Sequence, residues 1–156
     1  MMIENQVIEI LLVEDNPNDA ELELRAFKKN NLANRVFIAK DGAEALDYLF
    51  GTGIYKNRKN YVRPKIVFLD LKLPKISGLE VLKKIRANLE TETLPVVILT
   101  SSSEEQDLIQ SYALGVNSYI IKPIDFEKFI KVTSDLGLYW LLLNKQPPLT
   151  CDRPLT

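Results

Sequence analysis

The chain has 156 residues, 20 basic and 21 acidic, for a formal net charge of −1, with 46% hydrophobic and 26% charged residues. That is the composition of one ordinary globular domain, and it supplies no global positive field for nucleic acid or an anionic membrane. The sequence has no histidine and a single cysteine, Cys151, which excludes His–Ser and His–Cys catalysis, histidine-ligated metals and an intramolecular disulfide.

In chain order, residues 1–6 read as an N-terminal extension. The first β-rich apolar run is Ile8–Val13. Asn18 is expected to cap a helix carrying Leu22, Leu24 and Phe27 and closing on Lys28 and Lys29. Val36–Ala39 is the second run, and Asp41 opens a helix with Ala45, Leu46 and Leu49. The connection Gly51–Pro64 exceeds the usual length of roughly two to six residues. It carries Lys56, Arg58, Lys59 and Arg63 with no acidic residue, and reads as a solvated basic surface loop rather than a nucleic-acid patch. Tyr55 and Tyr61 could pin it to the body. Ile66–Leu69 is the third run, and Ser77 caps a helix with Leu79, Leu82 and Ile85. Val96–Leu99 precedes a helix that begins at Glu104 or a nearby serine, carries Leu108, Ile109 and Tyr112, and closes at Gly115. Ser118–Ile121 is the fifth run. Asp125 starts a last helix running to about Asn144, ahead of Pro147 and Pro148, and residues 145–156 read as a tail.

Apolar runs of roughly four to six residues suit strands buried on both faces. Their alternation with helices predicts an α/β fold, a doubly wound five-stranded parallel sheet with five helices, over residues 7–144. No apolar run approaches the ~18 residues that cross a bilayer. The first residues lack the basic end and apolar core of a secretory signal, so a cytoplasmic protein without membrane contact is expected.

In such sheets the working residues gather at the carboxyl ends of the strands. Those ends carry Glu14 and Asp15, then Asp70, then Thr100 followed by Ser101–Ser103, and finally Lys122. Converging carboxylates repel unless a cation joins them, and oxygen-only ligands select a hard ion such as Mg²⁺. A metal-loaded carboxylate cluster beside a lysine suits phosphoryl transfer. Asp70 could then act as the nucleophile and form an aspartyl phosphate.

The segments Leu11–Asn16, Leu69–Pro74 with Gly78, Leu99–Ser101 and Tyr119–Pro123 resemble the motif set of a response-regulator receiver domain (CheY-like). The spacing agrees, with Thr100 thirty residues after Asp70 and Lys122 twenty-two after Thr100. The resemblance implies a flavodoxin-like sheet of strand order 2-1-3-4-5. It also implies Asp70 as phosphoacceptor and Mg²⁺ held by Glu14, Asp15, Asp70 and the backbone carbonyl of Lys72. Lys122, Thr100 and Ser101 would bind the phosphoryl group, Thr100 and Tyr119 would form the switch pair, and Lys72 and Ser102 would tune hydrolysis. The Lys122–Pro123 peptide would be cis. The long 51–64 connection, the missing output domain and the apolar end of the fifth helix resemble stand-alone regulators of bacterial and cyanobacterial phytochrome histidine kinases. A histidine kinase or phosphotransfer protein would be the partner and phosphodonor. The only chemistry would be Mg²⁺-dependent self-phosphorylation and autodephosphorylation.

Two other readings are weaker. An aspartyl-nucleophile phosphatase carries a second aspartate two residues after the first, where this chain has Lys72. A flavodoxin-like nucleotide-binding module needs a glycine-rich first loop, where this chain presents Glu14, Asp15 and Asp19. In the fifth helix, Phe126, Phe129, Ile130, Thr133, Gly137, Trp140 and Leu141 supply one apolar stripe for the core. Val132, Leu136, Tyr139 and Leu143 form a second row, expected to make a homodimer interface.

Overall fold

The computed structural model describes residues 8–58, 61–122, 125–145 and 147. Five strands, β1 (Ile10–Val13), β2 (Val36–Ala39), β3 (Ile66–Leu69), β4 (Val96–Thr100) and β5 (Ser118–Ile121), alternate with five helices. The helices are α1 (Pro17–Lys29), α2 (Gly42–Phe50), α3 (Gly78–Ala87), α4 (Glu105–Ala113) and α5 (Phe126–Gly137). All four strand pairings are parallel and the order is β2-β1-β3-β4-β5, as expected. Strands β1, β3 and β4 are buried at every position, because helices cover both faces of a doubly wound sheet.

Side chains alternate between those faces along each strand. Leu11, Val13, Val67, Leu69, Val96 and Ile98 pack with Val81, Leu82 and Ile85 of α3 on one side. Ile10, Leu12, Ile66, Phe68 and Val97 pack with Phe27 of α1 and Leu141 on the other.

The helix starts follow local chemistry, with one displacement. Asn16, not Asn18, caps α1: its side chain accepts the backbone N–H groups of Asn18 at 2.9 Å and Asp19 at 3.1 Å. Pro17 sets the cause, since its fixed φ suits the first helical position and its missing N–H is lost at no cost there. Asp41 and Ser77 cap α2 and α3 as expected, accepting from Glu44 and Glu80.

Three other expectations are corrected. The buried face of α1 is Glu23, Ala26 and Phe27, while Leu22 is 43% exposed. In the 51–64 connection Arg58 is not solvated. Its guanidinium lies over the rings of Tyr61, Tyr48 and Tyr55 and donates to the Tyr48 carbonyl, so the aromatics do pin this stretch. The last helix does not run regularly to Asn144, because α5 ends at Gly137 and the wider π-helical turns Leu138–Leu143 follow. Residues 1–6, Lys59, the Pro123 peptide and Cys151 lie outside the described residues, as do most of the tail and the Leu143 side chain. Among the described residues no helix is long and apolar enough to cross a membrane.

Candidate functional site

The parallel register brings the expected residues together. Val13 of β1 pairs with Leu69 of β3, and Asp70 donates its N–H to the Val13 carbonyl at 3.1 Å. Glu14 and Asp70 therefore leave the sheet side by side. Thr100 ends β4 opposite Ile121 of β5 and accepts the Lys122 N–H at 2.7 Å through its carbonyl, which sets Lys122 over the same point.

Asp70 is 6% exposed. Its Oδ1 accepts the Thr100 hydroxyl at 2.9 Å and the Lys72 N–H at 3.1 Å. The Lys122 ammonium donates to Asp70 Oδ2 at 3.2 Å, Glu14 Oε2 at 2.8 Å and Asp19 Oδ2 at 3.0 Å, and stands 3.8 Å from Glu23 Oε1. Gly78 is needed here by space: a Cβ on it would run into the Asp70 carbonyl and the Leu71 backbone.

Negative charge is in surplus. Burial alone would lower Lys122, but its hydrogen bonds to Glu14 and Asp19 outweigh it and hold the ammonium above the usual lysine range. Burial raises Glu14 despite its bond to Lys122. Glu23 is pushed up to about 9, first by burial and then by the charge of Glu14. One lysine does not neutralise the carboxylates around it, so a further cation has an electrostatic reason to enter. Glu14, Asp15 and Asp70 offer oxygen atoms that all lie within 4.8 Å of one another. An all-carboxylate set with one exposed member fits a hard divalent ion.

Thr100 is fully buried, and Ser102 Oγ donates to Asp107 of α4 at 2.6 Å. Tyr119 donates its hydroxyl to the Ser102 carbonyl at 3.0 Å. Ser101 is exposed at the pocket edge, next to α1 and α5. Of the second α5 row, Tyr139 is 50% exposed, whereas Leu136 is partly buried against the core.

Sequence reasoning placed Asp19 in the acidic first loop without a role in the site, and missed Glu23. Glu23 follows from helical spacing, one turn after Asp19 on the same face of α1. Glu23 also stands three and four residues before Ala26 and Phe27, the positions that α1 buries.

Residues 10–134 match the family profile of the response regulator receiver domain. A relative from Methanothrix harundinacea, the probable methanogenesis regulatory protein FilR2, is 41% identical over 88% of this chain and 86% of its own length. Response regulator Rcp1 of Synechocystis sp. is 38% identical over 85% of this chain and 88% of its own. The Mn²⁺-bound structure of Rcp1 superposes with a TM-score of 0.76, covering 89% of this chain and 98% of that one. The bacteriophytochrome response regulator AtBRR is 54% identical, with a TM-score of 0.71 over 90% of this chain and 99% of its own.

Proposed function

Because the chain belongs to the response regulator receiver domain family, we propose that Asp70 accepts a phosphoryl group from the phosphohistidine of a partner histidine kinase or phosphotransfer protein. The observation that carries this is the setting of Asp70: a carboxylate at a strand end, bonded by the Thr100 hydroxyl on one oxygen and the Lys122 ammonium on the other. A carboxylate oxygen of Asp70 attacks phosphorus as the P–N bond to the donor imidazole breaks, giving an aspartyl phosphate. These 156 residues contain no histidine, so none of them is the donor. Lys122 neutralises charge on the phosphoryl oxygens, and Thr100 and Ser101 donate to them. Glu14, Asp15, Asp70 and the Lys72 carbonyl would hold Mg²⁺, which supplies further charge neutralisation. Lys72 and Ser102 tune the lifetime of the acyl phosphate. The only chemistry of the chain is self-phosphorylation and hydrolysis of its own phosphoryl group, in the cytoplasm.

We further propose a phytochrome-type histidine kinase as partner, on the strength of the 54% identity to a bacteriophytochrome response regulator. Incubation with Mg²⁺ and acetyl phosphate, read by intact mass, tests the acceptor. One phosphoryl adduct is expected on wild type and none on Asp70→Asn; an adduct on the variant overturns the assignment.

The partner surface includes a second copy of the chain. Ile109 and Tyr112 of α4 and Tyr139 beyond α5 are each at least half exposed. Tyr112 also lines a groove with Tyr119, Val132 and Leu136. Exposed large apolar side chains of this kind mark an interface, and a two-fold dimer would pair this face with itself. Light scattering on wild type and Tyr139→Glu decides: a dimer lost in the variant supports this surface, and a wild-type monomer at high micromolar concentration overturns it.

A further inference from the structure

Beside the phosphoryl pocket, between α1 and α5, lies a cavity of about 260 Å³. Its walls are apolar: Leu22 of α1, Leu99 of β4, and Phe126 and Phe129 of α5. The polar lining includes Glu23, with Asp19 and Lys122 on the side of the pocket.

Glu23 is the unexplained group. It is 3% exposed, yet neither carboxyl oxygen has a hydrogen-bond partner among the described residues. Buried polar groups almost always find one, and leaving a carboxyl bare in apolar surroundings is costly. The nearest cation, Lys122, stands 3.8 Å away with bonds to Glu14, Asp19 and Asp70 instead. A lysine ammonium has three hydrogens, and those three bonds use them. Lys122 therefore has none left for Glu23.

We propose that this cavity is a binding site for a primary ammonium group carried on a short apolar stem. The ammonium would donate to Glu23, and to Asp19 beyond it, while the stem lies between the two phenylalanines and the two leucines. Three observations select this chemistry. The bare carboxyl asks for a donor. The carboxylates Glu14, Asp19, Glu23 and Asp70 share one lysine, so the donor should be positive. Four apolar walls, two of them aromatic, favour an aliphatic or arylalkyl stem and also suit a cation placed near a ring face. Burial first, and then the charge of Glu14, push Glu23 up to about 9, so its carboxyl holds a proton until a cation is brought to it. The divalent-ion cluster does not meet this need, because Glu14, Asp15 and Asp70 form it without Glu23. This site does not depend on phosphorylation of Asp70.

A free amine and a lysine side chain of a docked protein share this chemistry, and the test separates them. With Mg²⁺ present in excess to occupy the carboxylate cluster, amide shifts of the full chain are followed during titration with phenethylammonium. A parallel titration uses Nα-acetyl-lysine methylamide. Shifts centred on Leu22, Leu99, Phe126 and Phe129 are expected, weakened about tenfold or more in Glu23→Gln, which keeps the shape but cannot give up a proton and become the carboxylate that pairs with an ammonium. Comparable binding of the lysine analogue assigns the site to a protein side chain; binding of phenethylammonium alone assigns it to a free amine. The proposal is overturned if neither probe shifts these residues at millimolar concentration. It is equally overturned if neutral 3-phenylpropanol binds as well, or if Glu23→Gln binds as tightly as wild type.

Discussion

Thr100 and Tyr119 are joined through the main chain of Ser102. Thr100 Oγ1 accepts the Ser102 N–H at 3.3 Å, and the Ser102 carbonyl accepts the Tyr119 hydroxyl at 3.0 Å. Since Thr100 also donates to Asp70 Oδ1 at 2.9 Å, a hydrogen-bonded path runs from the acceptor carboxylate to the face formed by α4 and β5. A phosphoryl group on Asp70 would recruit the Thr100 hydroxyl and so bias one arrangement of this path, which is what a switch requires. Beryllofluoride is expected to shift amides over residues 101–115 and 118–121 in wild type. In Thr100→Val those shifts should shrink to the residues touching the pocket. The same variant leaves the Ser102 N–H without its acceptor and should lose about 1–3 kcal/mol of unfolding free energy. Undiminished distant shifts in Thr100→Val would remove Thr100 from the path.

Glu23 makes stability depend on pH. Its value is about 9 in the fold against an ordinary 4.5, so between these limits the folded chain keeps a proton that the unfolded chain has released. The stability this contributes is complete below about pH 4.5 and is lost as pH rises towards 9, at about 1.4 kcal/mol per unit. Glu23→Gln has no such proton. Its advantage over wild type in urea unfolding should be small near pH 5 and reach about 2–4 kcal/mol near pH 8. An advantage that does not grow between those pH values contradicts a buried, uncompensated carboxyl.

Much of this architecture is legible in the amino-acid sequence. The strands Val36–Ala39, Ile66–Leu69 and Ser118–Ile121 have the same bounds in sequence and structure, because continuous apolar runs have few alternatives. Asp70, Glu14, Thr100 and Lys122 are readable as strand-end residues, and the parallel register does the rest. What the sequence hides depends on tertiary contacts. Glu23 looks like an ordinary surface charge until α5 packs over α1. Arg58 reads as solvated in a loop rich in basic residues, and only the fold brings the Tyr48 ring beneath it. The helix cap shifts from Asn18 to Asn16 because both are good caps, and the adjacent Pro17 decides between them.

The ion site separates a binding role from a folding role. Asp15 is exposed, whereas Glu14 and Asp70 are buried. Asp15→Asn should therefore weaken Mg²⁺ binding at least about tenfold while leaving ion-free stability within about 0.5 kcal/mol of wild type. Ligand that binds only the folded state stabilises it by about 2.7 kcal/mol at a hundredfold excess over Kd. Mg²⁺ should raise the wild-type melting temperature and move Asp15→Asn much less. An equal rise in both places the ion elsewhere.

Gly78 tests how closely the acceptor loop is held. A Cβ there meets main-chain atoms of Asp70 and Leu71, and main chain cannot swing aside as a flexible side chain can. The Gly78 N–H also donates to the Leu71 carbonyl at 2.9 Å, which fastens the start of α3 to the loop. Gly78→Ala should displace Asp70 and slow acetyl phosphate labelling at least about tenfold, a loss of positioning of the kind that small shifts cause. Labelling at the wild-type rate would show that the loop relaxes freely.

The aromatic cluster under the 51–58 stretch should behave as a desolvated cation site rather than as a surface charge. Phe37 and Tyr48 stack at 4.0 Å, and Tyr55 and Tyr61 meet Tyr48 edge-on at 5.3 and 5.6 Å. The Arg58 guanidinium lies 3.4 Å from the Tyr61 ring centre and 4.6 Å from that of Tyr48. Its Nη2 donates to the Tyr48 carbonyl, while Nε and Nη1 are buried without hydrogen-bond partners among the described residues, so the rings are what compensates the buried charge. A desolvated cation–π contact is worth about 2 kcal/mol, and truncation would add the cost of an unfilled space. Arg58→Ala should therefore lower the unfolding free energy by about 2–3 kcal/mol. Arg58→Lys should recover less than half, because a point charge cannot lie flat on a ring as the planar guanidinium does. The loss should persist in molar salt, where an exposed ion pair would be screened. Acetyl phosphate labelling of Asp70 should be unchanged under conditions where the variant is folded, since the cluster lies on the β2 and α2 side of the sheet. An Arg58→Ala protein within about 0.5 kcal/mol of wild type would mean that the rings pack as well without the guanidinium.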